Sequence, residues 1–441
     1  MAKYLPPYPS LESLQNQAKQ LLQAHRAKHV DARRRVNSAH PRFTAADTSP
    51  ALRLAEAQLV IAREYGFDSW PKLKRHVEAA TNPQVPVPTI DDLSPRWLTS
   101  RLRLRGILFE GEVAGIERED TFPRKEGIHR LRVTYSPNAS PALPSSYIYK
   151  YNTKGSHRPH PSSLREIFFY RRLVPELPDY RVAACFDMGS TESQGSYLLL
   201  EDLEETHQVP TATQSSPFGG WVSFQEATVE QFEAVARKMA RFQARWWNDP
   251  IIHREPLSAA SPGLGSLNDC GDSANVSTSL AQLERLTGEL GNDMTSTARR
   301  CILEFPRLYQ DRLRVASSLT LVHVDLHLRH TFFPRSGSPD DVVIIDWETV
   351  QRSVGVSDII HLLLSSMLPV DLRRSIESRV IDAYHAELLN AGVAGYSLDD
   401  CHADIRLSIV GLIGTVIAAP FVRSSIPAFN DWKCGRLLGS R

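Results

Sequence analysis

The segment LTLVHVDLHLRHTFFPRSGSPDDVVIIDWETV carries two carboxylates, Asp325 and Asp346, twenty-one residues apart, each placed just after or at the end of a short apolar run. SGSPDD between them reads as a turn, so TFF and VVIID fold back as an antiparallel hairpin with both carboxylates at its mouth. That placement suits phosphoryl transfer. One carboxylate orients or accepts the proton of an attacking hydroxyl, and the other holds a divalent cation on nucleotide phosphates. On spacing alone, two solvated turn carboxylates explain the pattern equally well. His323, His327 and His330 crowd the first of the two. With no cysteine or HExxH arrangement beside them, they do not form a zinc signature.

The elements that must hold these residues follow from periodicity. Alternation in HRLRVTYS and SSYIYKYN predicts strands up to about residue 204, and QEATVEQFEAVARKMARFQARWWND opens a helical part. The stretch SAASPGLGSLNDCGDSANVS reads as a surface insertion. Strands followed by helices make an α+β protein of two packed halves with a cleft between them. Ahead of them, Pro83, Pro86 and Pro88 mark a stiff linker over residues 83–92. Residues 1–82 then form a helical domain. Leu11, Leu14, Ala18, Leu21 and Leu22 line one helix, and Leu52, Ala55, Leu59 and Ala62 line a second that ends near Gly66. Ser69 caps a third, with Pro71 in its first turn.

Composition narrows the function classes. The 441 residues are 42% hydrophobic, enough for two or three domains, and 51 Lys+Arg stand against 50 Asp+Glu. No chain-wide cationic field draws the protein onto nucleic acid or lipid. The charge is uneven, with an excess of six positive residues over 1–80 and of five negative ones beyond. Arg33, Arg34, Arg35, Lys72, Lys74 and Arg75 could contact an acidic protein partner, though a solvated basic face is the commoner meaning of such a cluster. Five scattered cysteines without a CxxC pair imply neither a disulfide framework nor structural zinc and suggest a cytoplasmic protein. The beginning of the chain does not read as a secretory leader. LSIVGLIGTVIAAPFV is shorter than a membrane span, contains Gly411, Gly414 and Pro420, and reads as a buried core helix.

With these blocks in place, the chain resembles the small-molecule kinases of the aminoglycoside phosphotransferase and choline kinase type, the ecdysteroid-kinase-like branch among them. That family's loop reads HGDxHxxN, followed by a strand and an apolar run ending in Asp-Trp. Here the corresponding places hold His323, Val324, Asp325, His327 and His330, then Ile345, Asp346 and Trp347. The resemblance extends over residues 93–440 and implies a two-lobed protein-kinase-like fold, with an N-lobe over 93–204 and a helical C-lobe over 205–441. It implies Asp325 as catalytic base and Asp346 as Mg²⁺ ligand, with His330 at the second metal position. Lys150 of SSYIYKYN takes the place of the lysine that grips the nucleotide phosphates, with Lys154 as a competitor, and Glu166 of LREIFFYRRL the place of its helix partner. Glu201, Asp202 and Leu203 of SYLLLEDL take the place of the adenine hinge. Asp358 stands where the family buttresses its loop, and ARWW matches the first helix of the large lobe. The implied substrates are ATP or GTP and a small-molecule alcohol. Residues 1–82, with AREYGFDSWPKLKRHV, resemble the helical segment preceding ankyrin repeats in bacterial proteins.

Two places depart from the family pattern. His330 stands where the family has Asn, and imidazole is a poor ligand for hard Mg²⁺. Val324 stands where the family has Gly, the residue that freely takes positive φ. A weakened enzyme, or a nucleotide-binding pseudokinase, is therefore an alternative expectation.

Overall fold

The computed structural model describes residues 11–40, 42–43, 52–80, 87–119, 127–152, 160–191, 195–211, 214–215, 222–224, 226–254, 256–257, 273–315, 317–366 and 368–418. Two compact units divide the chain. One comprises Met1–Arg158, Ile167–Asp179 and Ala184–Asp202, the other Pro159–Glu166, Tyr180–Ala183 and Leu203–Arg441. The change of unit after Asp202 falls close to the expected passage from strands to helices. Most of the expected insertion, together with Lys154, Pro83 and Pro86, lies outside the described residues.

The first unit has two separate cores. Helices α1 (Leu11–Arg26), α2 (Val30–Ala39), α3 (Leu54–Glu64) and α4 (Trp70–Ala80) enclose Leu14, Leu21, Val36, Val60, Ile61 and Leu73. In α3 the buried stripe is Ala57, Val60, Ile61 and Ala62, while Ala55 is exposed. The expected stripe is thus rotated, because the helix starts only at Leu54 and leaves Leu52 to pack ahead of it. Ser69 does meet α4 as read, its Oγ accepting the Lys72 amide at 3.4 Å. Several basic residues are paired within the bundle. Arg35 donates both arms to Glu64 at 2.7 and 2.8 Å, and Arg34, Lys72 and Lys74 pair with Asp31, Asp68 and Glu78.

The second core joins helix α5 (Pro95–Leu104), capped by Ser94, to strands β1 (Val113–Glu119), β2 (Ile128–Tyr135), β3 (Ser146–Asn152), β4 (Cys185–Thr191) and β5 (Gly195–Glu201). The antiparallel sheet runs β1-β2-β3-β5-β4 and pairs Lys150 with Leu198. From the described end of the expected linker, Val87 and Ile90 pack into this core. Val87 is buried, and the Tyr149 hydroxyl donates to the Pro88 carbonyl at 2.7 Å. Helix α5 is tied to the sheet by Asp187, fully buried, which accepts from Arg101, from Arg105 at 2.7 Å and from the Tyr197 hydroxyl at 2.7 Å. Helix α6 (His160–Phe168) bridges the two units in sequence.

The second unit contains β6 (His207–Gln208), the short pair β7 (Gln214–Ser215) and β8 (Val222–Ser223), and helices α7 (Val229–Arg245), α8 (Ser273–Leu290) and α9 (Asn292–Arg314). It continues with β9 (Thr320–Val322), β10 (Thr331–Pro334), β11 (Val343–Ile344), β12 (Gln351–Ser353), α10 (Ser357–Ser365), α11 (Val370–Asn390) and α12 (Leu398–Ala418). Helix α7 is closed by a Thr228–Gln231 capping box and buries one face of Phe232, Val235, Met239 and Phe242. Helix α12 packs Ile405, Ile409, Leu412 and Ile413 inward, in keeping with the core-helix reading. Among the described residues, no helix is long and apolar enough to cross a membrane. Cys185, Cys301 and Cys401 are buried free thiols.

Candidate active site

The expected hairpin is present: β10 pairs with β11 antiparallel, Thr331 opposite Ile344 and Phe332 opposite Val343. It brings the loop after β9 against the turn after β11. The Ile345 amide donates to the His330 carbonyl at 3.0 Å, and His323 Nε2 donates to the Ile345 carbonyl at 2.8 Å. Trp347, fully buried, closes the turn by donating its indole N–H to the Ile344 carbonyl at 3.0 Å.

Asp358, at the start of α10 and fully buried, holds the loop from beneath. It accepts the amides of His323 and Val324, both at 2.8 Å, and the side-chain amide of Gln243 at 3.0 Å. Gln243 also donates to the Gly355 carbonyl and accepts from Tyr384, so α7, α10 and α11 share one buried polar network. Burial pushes the Asp358 carboxyl upward, while His323 and the two backbone donors pull it back.

This grip fixes a strained backbone. Val324 has a φ of 75°, the conformation for which the family pattern supplies glycine, and Asp346 lies in the left-handed region at φ 66°. A β-branched residue at positive φ is a real outlier and persists only where its surroundings over-determine it. The two carboxylates meet across one imidazole. His330 Nδ1 lies 3.8 Å from Asp325 Oδ2, and its Nε2 lies 3.3 Å from Asp346 Oδ2. Nδ1 also contacts the Asp325 carbonyl oxygen at 3.0 Å. The Asp325 side chain is 46% exposed, as suits a group meeting a substrate, whereas that of Asp346 is 11% exposed.

Burial drives both loop histidines neutral. His327 is held down to about 3 by desolvation and by the neighbouring His361 and Arg329. His330 is held down to about 3 by desolvation against the opposing pull of Asp346. Their rings lie 3.8 Å apart, close enough that protonating either would charge a crowded, dry pair.

The remaining expected residues fall in their own units. Lys150 is half-buried on β3 in the first unit. Glu166, on α6 in the second, is buried, and its carboxylate belongs to a group with Asp346 and Glu348 whose ligand atoms lie within 4.8 Å of one another. Glu348 was not singled out from sequence. Its signal was its position two residues after Asp346, at the turn that follows the apolar run. Glu201 and Asp202 use their side chains inside the first unit. Glu201 accepts the Ala184 amide at 2.9 Å, and Asp202, half-buried, accepts from Arg130 at 2.6 Å. Leu203 is buried with Ala183 and Val343 in a small apolar cluster of the second unit.

The profile of the ecdysteroid kinase-like family matches residues 268–392, the stretch that holds both carboxylates, the histidine loop and Asp358. The chain thus resembles the small-molecule kinases in a family match as well as in its motifs. No curated protein matches it. Among solved structures, an aminoglycoside phosphotransferase from Streptomyces rimosus, in complex with ADP and streptomycin, is 15% identical with a TM-score of 0.38, over 68% of this chain and 93% of that one. The choline kinase LicA from Streptococcus pneumoniae is 10% identical with a TM-score of 0.34, over 72% and 99%. A Plasmodium vivax ethanolamine kinase is 11% identical with a TM-score of 0.39, over 87% and 95%. Likenesses of this size carry no functional weight of their own.

Proposed function

We propose that the protein is a nucleotide-dependent phosphotransferase that moves the γ-phosphate of ATP or GTP to the hydroxyl of a small molecule. The observation that carries this reading is the pair Asp325 and Asp346, reached by the hairpin to opposite nitrogens of His330, one half-exposed and one nearly buried. Unequal exposure suits unequal work. Asp325 accepts the proton of the acceptor hydroxyl and orients its oxygen for attack, while Asp346 with Glu348 faces the phosphates. Lys150 grips the phosphates, and the backbone from Glu201 to Leu203 receives the base. The carboxylates of Asp346, Glu348 and Glu166 are hard oxygen donors and fit a divalent cation such as Mg²⁺. Such an ion, when bound, neutralises phosphate charge; positioning falls to the protein.

Asp325→Asn should abolish turnover and leave nucleotide affinity within about twofold, because the base touches the acceptor and not the phosphates. Asp346→Asn should remove the cation dependence of nucleotide binding. Turnover at the parent rate in the first variant, or an unchanged cation requirement in the second, would show the roles to be wrong.

A second reading, a nucleotide-binding pseudokinase, draws on Val324 and His330, which depart from the family loop at adjoining points of one site. We favour the enzyme because the base and the buried carboxylate are both present. The free thiols agree with a cytoplasmic setting. Residues 1–82, with their own core, are the part available to a protein partner.

A further inference from the structure

Four successive residues around Asp325 each have a backbone group held by a side chain. Asp358 accepts the His323 and Val324 amides, both at 2.8 Å, and His330 Nδ1 contacts the Asp325 carbonyl oxygen at 3.0 Å. The last of the four is Leu326, whose carbonyl oxygen lies 2.9 Å from His361 Nδ1. A carbonyl can only accept, so His361 donates from Nδ1. That nitrogen keeps its proton whether or not Nε2 carries a second one, so the bond does not depend on the charge of the ring.

Asp358 and His361 stand three residues apart on α10, on one face of the helix, and both meet this loop. Their chemistry is complementary. The carboxylate takes N–H groups on the amino-terminal side of Asp325, and the imidazole serves a C=O on the carboxyl-terminal side. One helix thus clasps the backbone on both sides of a residue whose own side chain is 46% exposed. Close packing does not do this alone, because a cavity of about 20 Å³ is lined by both Val324 and His361. Slack of that kind leaves the hydrogen bonds to hold the loop, and Val324, at φ 75°, gains from any movement that relaxes it.

We propose that His361 is a positioning residue for Asp325. Through the Leu326 carbonyl it fixes the peptide that follows Asp325, and with it the direction of the Asp325 carboxylate. A reacting group misplaced by about 1 Å loses roughly 10²-fold in rate, so a bond to the neighbouring peptide is enough to matter. The work of the carboxylate rests on the phosphotransferase reading; the grip of His361 on the loop does not.

The test compares His361→Ala, His361→Asn and His361→Gln in the whole chain. The side-chain amide nitrogen of Asn stands where Nδ1 does, and that of Gln where Nε2 does, so only the first keeps a donor in the right place. One readout is hydrolysis of ATP with water as acceptor, with Asp325→Asn as background. The other is hydrogen exchange at the amides of residues 321–331. His361→Ala and His361→Gln should lower kcat about tenfold or more, with the KM for ATP within about twofold, and should speed exchange in the loop about tenfold. His361→Asn should stay within about threefold of the parent in both readouts. Unchanged exchange in His361→Ala overturns the proposal. So does His361→Asn behaving no better than His361→Gln, a comparison that stands even if His361→Ala does not fold. A loss of kcat that follows each variant's unfolding midpoint, and not the place of its donor, overturns it as well. Hydrolysis by the parent no faster than by Asp325→Asn goes against the phosphotransferase reading, and the exchange rates of the Asn and Gln variants then support or overturn the grip of His361 by themselves.

Discussion

Val324 separates strain from chemistry at the level of one residue. Its φ of 75° belongs to glycine, and the buried carboxylate of Asp358 holds its amide in place at 2.8 Å. Removing the β-branch should relieve about 1 kcal/mol or more of backbone strain, partly offset by the extra freedom glycine has when unfolded. Val324→Gly is therefore expected to raise the unfolding midpoint by about 2 °C or more, and a lower midpoint in calorimetry would refute the strain account. The buttress behaves oppositely. Asp358→Ala strands two loop amides and one Gln243 N–H in a fully buried place, at a cost of about 3 kcal/mol or more. Asp358→Asn keeps one acceptor oxygen and should cost less, so equal losses in urea unfolding would mean that the carboxylate is not what holds the loop. Sequence reading singled out Asp325, Asp346, Asp358 and Val324 because each sits at a fixed place in a short motif. It missed Glu348, whose role depends on where a turn aims a side chain.

At the level of elements, the loop from β9 to β10 holds two histidines in a dry pocket, and pH exposes that. Burial holds His327 and His330 down to about 3 in the folded chain, against 6.5 for an ordinary histidine. Below pH 6.5 the unfolded chain therefore takes up protons that the folded chain refuses, so stability is full above that value and falls progressively as pH drops toward about 3. The urea midpoint should fall between about pH 7.5 and about pH 5, and fall less in a His327→Gln, His330→Asn double variant than in the parent. An identical drop in both would locate the acid sensitivity elsewhere. The apolar runs TFF and VVIID on either side of the SGSPDD turn made this loop's framework legible, and the two do pair. Periodicity was a poorer guide in α3, where the helix start, not the apolar spacing, decided which residues turned inward. The residues expected at the hinge show the same limit. Nothing in SYLLLEDL announces that Glu201 and Asp202 are engaged by Ala184 and Arg130, because those partners are distant in sequence.

At the scale of the whole molecule, the independence of the first four helices is the most consequential expectation. They enclose their own core, from Leu14 to Val77, and the sheet encloses another, from Val87 to Leu199. One described ion pair joins the bundle to the segment after α6, Arg172 to Glu12 at 3.0 Å, with side chains 38% and 62% exposed. Exposed pairs of this kind contribute about 0 to 1 kcal/mol, too little to couple two cores. Proline spacing pointed to a break here, but not to the capture of Val87 and Pro88 by the sheet, which only their packing reveals. The useful cut therefore lies before residue 87, and a chain lacking residues 1–82 keeps every buried member of the second core. Such a chain should unfold cooperatively and retain nucleotide affinity. A sloping, non-cooperative melt at unchanged solubility would mean that the bundle supplies stability to the sheet, and that the two cores fold as one.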